Sequence, residues 1–347
     1  MRVAVVTMDT RHLDDGPRTW RLARVIRRLK ERGNEVIVYC HQWWDGDVDE
    51  FEQNGISYRA MTTDRSAGQF ATRLPFALRR DKPDIVHASY APPSLAVAAT
   101  AGKLLTRRPV LVEWYGDIPV DGTRRIPRAA ARRASALVTP SRYVQTRVRE
   151  LGAADEDTHI IPDWIDIERI QDIPPADGPD ILTARRLDEE ANVDMMLLGL
   201  AELRDRDWTA IVIGDGPARH QFEAKAAELR IDDRVRFVGE VPRDQRIAHY
   251  RAARVFVQTA RRCPFPRELL WALACGCAGV VDYQEHSAAH ELVERFDRGF
   301  LTTGSEELSE AILEAAALDE RTSNDAFDRY DDDRVLDQYF DVYDSLL

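Results

Sequence analysis

The sequence predicts two tandem α/β domains, each a mostly parallel sheet wound with helices. Three observations predict it. Short β-branched runs alternate with amphipathic stretches, the mark of βαβ units. The pattern stops in a Pro- and Asp-rich segment, Asp172 to Pro179, and restarts beyond it. In the second half an apolar run, Ile211-Val212-Ile213, passes straight into Gly214-Asp215-Gly216-Pro217. Two glycines there let backbone approach a ligand, and the helix that follows offers unpaired N–H groups to an anion.

The elements follow in order. Arg2–Thr7 reads as a strand and Asp9–Gly16 as a polar loop. Pro17–Arg32 reads as a helix, with Leu22, Val25, Ile26 and Leu29 on one face. Pro17 suits the first helical turn and Gly33 the residue just past the end. Further strands are read at Glu35–Cys40, Asp84–His87, Pro109–Glu113, Ala136–Thr139 and His159–Ile161. In the second half the strands are Asp180–Ala184, Thr209–Gly214, Val235–Val238, Val255–Thr259 and Gly279–Val281. Its helices are Val193–Leu203, Ala218–Leu229, Arg243–Ala252 and Arg267–Cys275. Spaced apolar residues from Val335 to Tyr343 make the tail a helix. The expected domains are 1–175 and 176–327, with 328–347 as a helix packing back on the first.

Composition narrows the class. The 347 residues are 44% hydrophobic and 31% charged, a globular balance. No uncharged apolar run approaches the ~18 residues of a membrane span. Asp9 interrupts the first apolar run too early for a secretory signal, so a cytoplasmic protein is expected. Acidic residues outnumber basic ones 60 to 48, and only Lys30, Lys82, Lys103 and Lys225 among the bases are not Arg. Dense carboxylates of this kind keep a surface hydrated in high salt, so a halophile is one reading and an Arg-rich bacterial protein the other. Four Cys are too few for a disulfide framework. Cys275 and Cys277 lack the partners of a metal site and read as small buried residues in a tight turn.

A nicotinamide dehydrogenase would carry a glycine fingerprint after the first strand, but only Gly16 lies there. Other segments point elsewhere: Arg32-Gly33-Asn34-Glu35-Val36, Pro83-Asp84-Ile85-Val86-His87-Ala88 and Ile161-Pro162-Asp163-Trp164-Ile165-Asp166. To these add Arg186-Leu187, Gly214-Asp215-Gly216-Pro217, Asp233–Gly239 and Leu273-Ala274-Cys275-Gly276-Cys277. In order and spacing they resemble glycosyltransferase family 4, which has the GT-B fold of two Rossmann-like domains facing a cleft. The resemblance implies transfer of a hexose from a nucleotide sugar to a glycan or polyprenyl-phosphate-linked acceptor. It implies retention of anomeric configuration and no metal or other cofactor. The donor is expected on the C-terminal domain and the acceptor on the N-terminal one.

Carried over by position, the family's donor contacts fall on Arg186, Gly214, Gly216 and Glu291. Its acceptor-side glycine loop falls on Gly16, and its acceptor loop end on Tyr115-Gly116-Asp117, with Tyr115 and Asp117 as contacts. Several donor features have changed. The family's Lys and the Gly after it fall on Ala191 and Asn192, its paired glutamates on Cys263 and Trp271, and two loop glycines on Pro264 and Pro266. A later Gly-Gly falls on Ser287-Ala288. Arg267 and Glu268, opening the next helix, are the nearest replacements, Arg267 on phosphate and Glu268 as the catalytic carboxylate on the sugar. The competing reading makes both solvated first-turn residues. Two rival functions stay open: a catalytically degenerate chain that binds a glycan or partner, and a nucleotide-sugar epimerase.

Other residues have structural and functional readings side by side. His87 reads as a hydrogen-bonded strand-end residue rather than a base. Trp43-Trp44 is either a platform for glycan or lipid or a packed aromatic pair. Residues 1–175 hold 27 basic and 24 acidic side chains, and residues 176–347 hold 21 and 36. Arg21, Arg24 and Arg28 on one helix face, and Arg124, Arg125, Arg128, Arg132 and Arg133, are candidate contacts with an anionic membrane surface. No nucleic-acid motif accompanies them.

Overall fold

The structure is a computed structural model that describes residues 1–116 and 125–347. Asp117 and Arg124 lie outside the described residues. The chain forms two compact units, Met1–Pro162 with Val335–Leu347, and Asp163–Arg334.

The first unit holds β1 (Arg2–Val6), β2 (Glu35–His41), β3 (Glu50–Gln53), β4 (Ile56–Thr62), β5 (Ile85–Ser89), β6 (Val110–Glu113), β7 (Ala136–Thr139) and β8 (Thr158–Ile160). They form one sheet in the order β3-β4-β2-β1-β5-β6-β7-β8, parallel except for the β3–β4 hairpin. That hairpin turns on Asn54-Gly55, both at positive φ (53° and 70°), as a two-residue turn requires. Its helices are α1 (Pro17–Glu31), α2 (Ala67–Asp81), α3 (Pro93–Thr106), α4 (Arg125–Arg133) and α5 (Arg142–Glu150). Central strands with apolar residues on both faces lie buried between helices, as a parallel sheet demands. α1 ends where the sequence places its stop: Gly33 takes φ 76°, and the Asn34 N–H donates to the Leu29 carbonyl.

The second unit holds α6 (Ile167–Asp172), β9 (Ile181–Ala184), α7 (Val193–Glu202), β10 (Ala210–Ile213), α8 (Arg219–Glu228), β11 (Val235–Gly239) and α9 (Arg243–Ala252). Then come β12 (Val255–Gln258), β13 (Arg262–Cys263), α10 (Arg267–Ala274), β14 (Ala278–Asp282), β15 (His286–Ser287), α11 (His290–Val293), β16 (Gly299–Thr302) and α12 (Ser305–Ala316). The main sheet is parallel, in the order β11-β10-β9-β12-β14-β16. A separate core covers each face. Cys275 and Cys277 are both buried at the α10–β14 turn, where the Cys277 thiol donates to the Tyr250 carbonyl at 3.0 Å.

The units divide after Pro162, ahead of the 175/176 boundary that the Pro-rich segment suggests. The cause is α6. Ile170 is buried in the second unit's core, and the carbonyls of Ile170 and Gln171 accept from Arg251 at 2.8 and 3.0 Å. The last helix, α13 (Asp332–Leu346), begins in the second unit, and from Val335 onward the chain belongs to the first.

A buried ionic network holds this helix in the first unit. Arg21 of α1 is 1% exposed and donates Nε to Glu113 at 2.5 Å, and its other nitrogens reach the Ile161 and Pro162 carbonyls at 2.6 and 2.7 Å. Tyr339 donates to the same Glu113 oxygen. His87, fully buried, sits 3.1 Å from the other Glu113 oxygen and 2.7 Å from the Tyr343 hydroxyl. His87 is therefore a hydrogen-bonded strand residue. The membrane reading of the α1 arginine face is corrected by the same contacts. Arg21 points into the core, and Arg28 pairs with Asp337 of α13 at 3.2 Å.

Burial alone would raise the Glu113 pKa. The Arg21 charge, followed by the hydrogen bonds from His87 and Tyr339, outweighs it and holds the carboxyl at about 2 against an ordinary 4.5. Arg21→Met, which strands that carboxylate, should cost about 3–5 kcal/mol of stability. Because the folded pKa is the lower one, Glu113 stabilises fully above about 4.5 and loses that contribution as the pH falls toward 2. Urea melts across this window should show wild type shedding stability more steeply than Glu113→Gln. Identical acid limbs would remove Glu113 as the sensitive group.

Candidate functional site

In an open parallel sheet, ligands bind beyond the carboxyl ends of the strands, where the winding reverses. In the second unit that point lies between β9 and β12. From β9 the chain winds outward through β10 and β11, then crosses back to β12 on the other side. Every donor-side residue picked from the sequence follows one of the adjacent strands β10, β9, β12 and β14.

Arg186 follows β9. Its side chain is 73% exposed and lies 4.0 Å from Asp188. Gly214 and Gly216 follow β10, and their absent side chains have a packing cause. A Cβ at Gly214 would lie 1.9 Å from the Arg185 carbonyl oxygen, and one at Gly216 would lie 2.2 Å from that of Leu187. The two loops are hydrogen-bonded: Leu187 N–H donates to Asp215 and Ala218 N–H to Leu187. The glycines thus let the β9 and β10 loops lie flat together, which fixes the backbone that carries Arg186.

The β9 and β12 loops are also tied. Asn192 takes φ 52°, a left-handed position that suits glycine and that asparagine tolerates. The Gly-to-Asn departure noted from sequence therefore keeps the backbone shape. Its amide donates to the Thr259 carbonyl at 2.9 Å, and the Thr259 hydroxyl donates to the Asn192 carbonyl at 2.8 Å. Arg261 donates backbone and side-chain N–H groups to the Glu190 and Glu189 carbonyls. Ala191, where the family's Lys falls, is buried in the core.

Beyond β12, Arg267 and Glu268 open α10 after Pro266. Glu268 is not a solvated residue. One oxygen accepts from Arg246 at 3.0 Å, the other from the Tyr250 hydroxyl at 2.6 Å, and its side chain is 25% exposed. Any contact with a sugar would share these oxygens with α9. Trp271, at one of the paired-glutamate positions, is 4% exposed, and its ring centroid lies 5.7 Å from the Arg243 guanidinium. Cys263 forms β13 and pairs with Ser287 of β15. Glu291 lies in the four-residue α11.

Arg243 was not legible from the sequence as a site residue. Burial, then the positive charges of Arg267 and Arg169, push its pKa down to about 10. Arg169 pairs with Asp244 and Arg246 with Glu268. The first turns of α9 and α10 thus carry clustered guanidinium groups, where an incoming anion would relieve mutual repulsion.

In the first unit, Gly16 caps α1 and its N–H donates to Asp14 at 3.1 Å. Tyr115 lies with its ring centroid 5.6 Å from the buried Arg21 guanidinium. Trp43 and Trp44 are a packed pair: they meet edge to face at 5.6 Å, and both contact Phe51. His12 stacks on Trp43 at 3.6 Å.

The family model for glycosyl transferases group 1 matches residues 165–330, and that for Glycosyltransferase Family 4 matches residues 20–169. The chain belongs to glycosyltransferase family 4. Its fold is that of a GT-B glycosyltransferase. A 2-deoxystreptamine glucosyltransferase from Streptomyces kanamyceticus is 34% identical over 136 residues, 35% of each chain, so the match spans about a third of that relative. A GDP-mannose-dependent alpha-(1-6)-phosphatidylinositol monomannoside mannosyltransferase from Mycobacterium tuberculosis is 24% identical over 284 residues, covering 75% of this chain and 73% of the relative. The solved structure of Anabaena Alr3699/HepE in complex with UDP and glucose superposes with a TM-score of 0.75, at 21% identity and over 100% of both chains.

Proposed function

We propose that this family 4 chain transfers a hexose, with retention and without a metal, from a nucleotide sugar to a glycan or lipid-linked acceptor. The observation that carries the reading is the placing of Arg186, Arg243 and Arg267 on the segments beyond the carboxyl ends of β9, β11 and β12, with Arg267 near enough to Arg243 for its charge to lower the Arg243 pKa. As the glycosidic bond to the donor breaks, the leaving nucleoside diphosphate gains charge and the sugar becomes oxocarbenium-like. Arg186, Arg267 and Arg243, with the N-terminal N–H groups of α10, would meet that charge. They would take over the role of the lysine replaced by Ala191. Glu268, held by Arg246 and Tyr250, is the nearest carboxylate for the sugar hydroxyls. Relatives named for glucose and GDP-mannose chemistry support a hexose donor.

One observation favours a second reading, a chain that holds a nucleotide sugar without transferring it: both Glu268 oxygens already have partners. Variants separate the two. Arg186→Ala should weaken UDP or GDP binding by about 1.5–3 kcal/mol, the range for a charged hydrogen bond, with the fold intact. Arg267→Ala should do the same. Glu268→Gln should lower turnover more than nucleotide affinity. Unchanged affinity in Arg186→Ala would remove that residue from the site, and wild type that binds donor but never turns over would favour the second reading.

For an acceptor anchored in a membrane, we place the contact on α4, at the inner face of the cell membrane. Arg125, Arg128, Arg132 and Arg133 are exposed on it with Ile126, which is 49% exposed. No helix among the described residues is long and apolar enough to cross a membrane. Basic residues beside an exposed apolar one suit the surface of an anionic leaflet. Sedimentation with vesicles should show binding to anionic but not neutral lipid, falling as salt rises, and lost in Arg128→Glu/Arg132→Glu. Equal partitioning to both vesicle types would leave α4 as plain surface.

A further inference from the structure

Within the first unit, a cavity of about 560 Å³ runs along one side of α1, opposite the β3–β4 hairpin. That volume is in the range of small-molecule sites. None of Gly16, Tyr115 or Arg21 lines it. Its length follows from α1: Thr19 lines one end and Lys30 the other, eleven residues or about 17 Å apart at 1.5 Å per residue.

The lining changes character along that length. Asp9 and Thr19 stand at the end beside the Gly16 loop. The middle is an apolar strip of Ala23 and Ile26 facing Ile56 and the Tyr58 ring. The far end gathers Arg27, Lys30 and Asn54, while the Gln53 side chain reaches His12, which lines the cavity from the Asp9–Gly16 loop. Glu31 also lies at the far end, but its carboxylate is 3.8 Å from Arg28. Among the described residues neither Arg27 nor Lys30 has an acidic partner within salt-bridge distance. Lys30 is draped over the hairpin turn: a Cβ on Gly55 would lie 2.8 Å from its Cε and 3.1 Å from its Nζ.

We infer that this cavity binds a short saccharide carrying one negative charge, with a ring against Tyr58 and the carboxylate or phosphate between Arg27 and Lys30. An aromatic face and apolar strip suit the C–H faces of sugar rings. The Asn54 amide at one end, and the Thr19 hydroxyl oxygen as an acceptor at the other, suit hydroxyl groups. Two cations without carboxylate partners suit one anion. A lipid tail would give Arg27 and Lys30 no anion to pair with. The further step, that the saccharide is the acceptor and presents its reactive end toward the Gly16 loop, rests on the transferase reading above.

The test is titration calorimetry on the full chain with three probes: cellobiose, the disaccharide in which glucuronate replaces its terminal glucose, and cellobiose carrying a terminal phosphate ester. At least one charged probe should bind about tenfold or more tighter than cellobiose, and the charged probe that wins identifies the anion. Arg27→Ala/Lys30→Ala, two exposed positions, should erase that margin, while Arg186→Ala leaves it intact. Ala23→Trp, which fills the strip, should abolish binding of all three. Equal affinity for charged and neutral probes, or a margin that survives Arg27→Ala/Lys30→Ala, would overturn the assignment. Nucleotide affinity measured on the same samples separates the two claims. Donor binding without saccharide binding sinks only the cavity, and saccharide binding without donor binding sinks only the transferase reading.

Discussion

The first unit is organised around a single buried charge. Glu113 ends β6 inside the protein, where an unpaired carboxylate is too costly to keep. Arg21 supplies the countercharge from α1, His87 a ring nitrogen from β5, and Tyr339 a hydroxyl from α13. Arg21 in turn satisfies two carbonyls at the end of the β8 loop. One carboxylate therefore fixes the angle of the first helix and the docking of the last. The α1 flank that lines the saccharide cavity is held by the same anchor, since Leu22, Ala23 and Ile26 follow directly on Arg21.

The second unit solves the opposite problem. Around α9 and α10 several guanidinium groups gather: Arg169 pairs with Asp244, Arg246 with Glu268, and Arg243 lies near Arg267. Glu268 is shared between Arg246 and Tyr250, and Arg243 stays beside Arg267 and Arg169 with its affinity for a proton reduced. A folded protein tolerates such crowding best where a ligand supplies negative charge, the part that the proposed nucleotide donor would play. The glycine pair Gly214 and Gly216 acts one step back from that chemistry. They let loop backbones meet, and the loops then hold Arg186.

The winding of both sheets was legible in the sequence because buried parallel strands and capped helices leave strong local signals. Gly33 stops α1, and β7 and α9 span the expected residues. The β3–β4 hairpin escaped although Asn54-Gly55 is its signature, because β3 is a short edge strand with mostly exposed residues. The unit boundary was misjudged because composition marks a linker, whereas Ile170 and Arg251 pull that linker into a core. Arg21 read as a lipid-facing residue since helix spacing shows which residues share a face, not what covers it. Nothing local could show that Glu113, 92 residues on, waits there. The donor-side positions were legible only by resemblance, and the crowding at Arg243 only from the fold.

The most direct test of the account is donor turnover by the purified chain. It should be incubated with UDP-, GDP- and ADP-hexoses and a saccharide acceptor, with and without chelator. Nucleoside diphosphate release and the anomeric proton of the product would be followed by NMR. The account predicts release from one donor class, insensitivity to chelator, and a product with the donor's own anomeric configuration. An inverted product, turnover abolished by the chelator, or no release from any donor would contradict it.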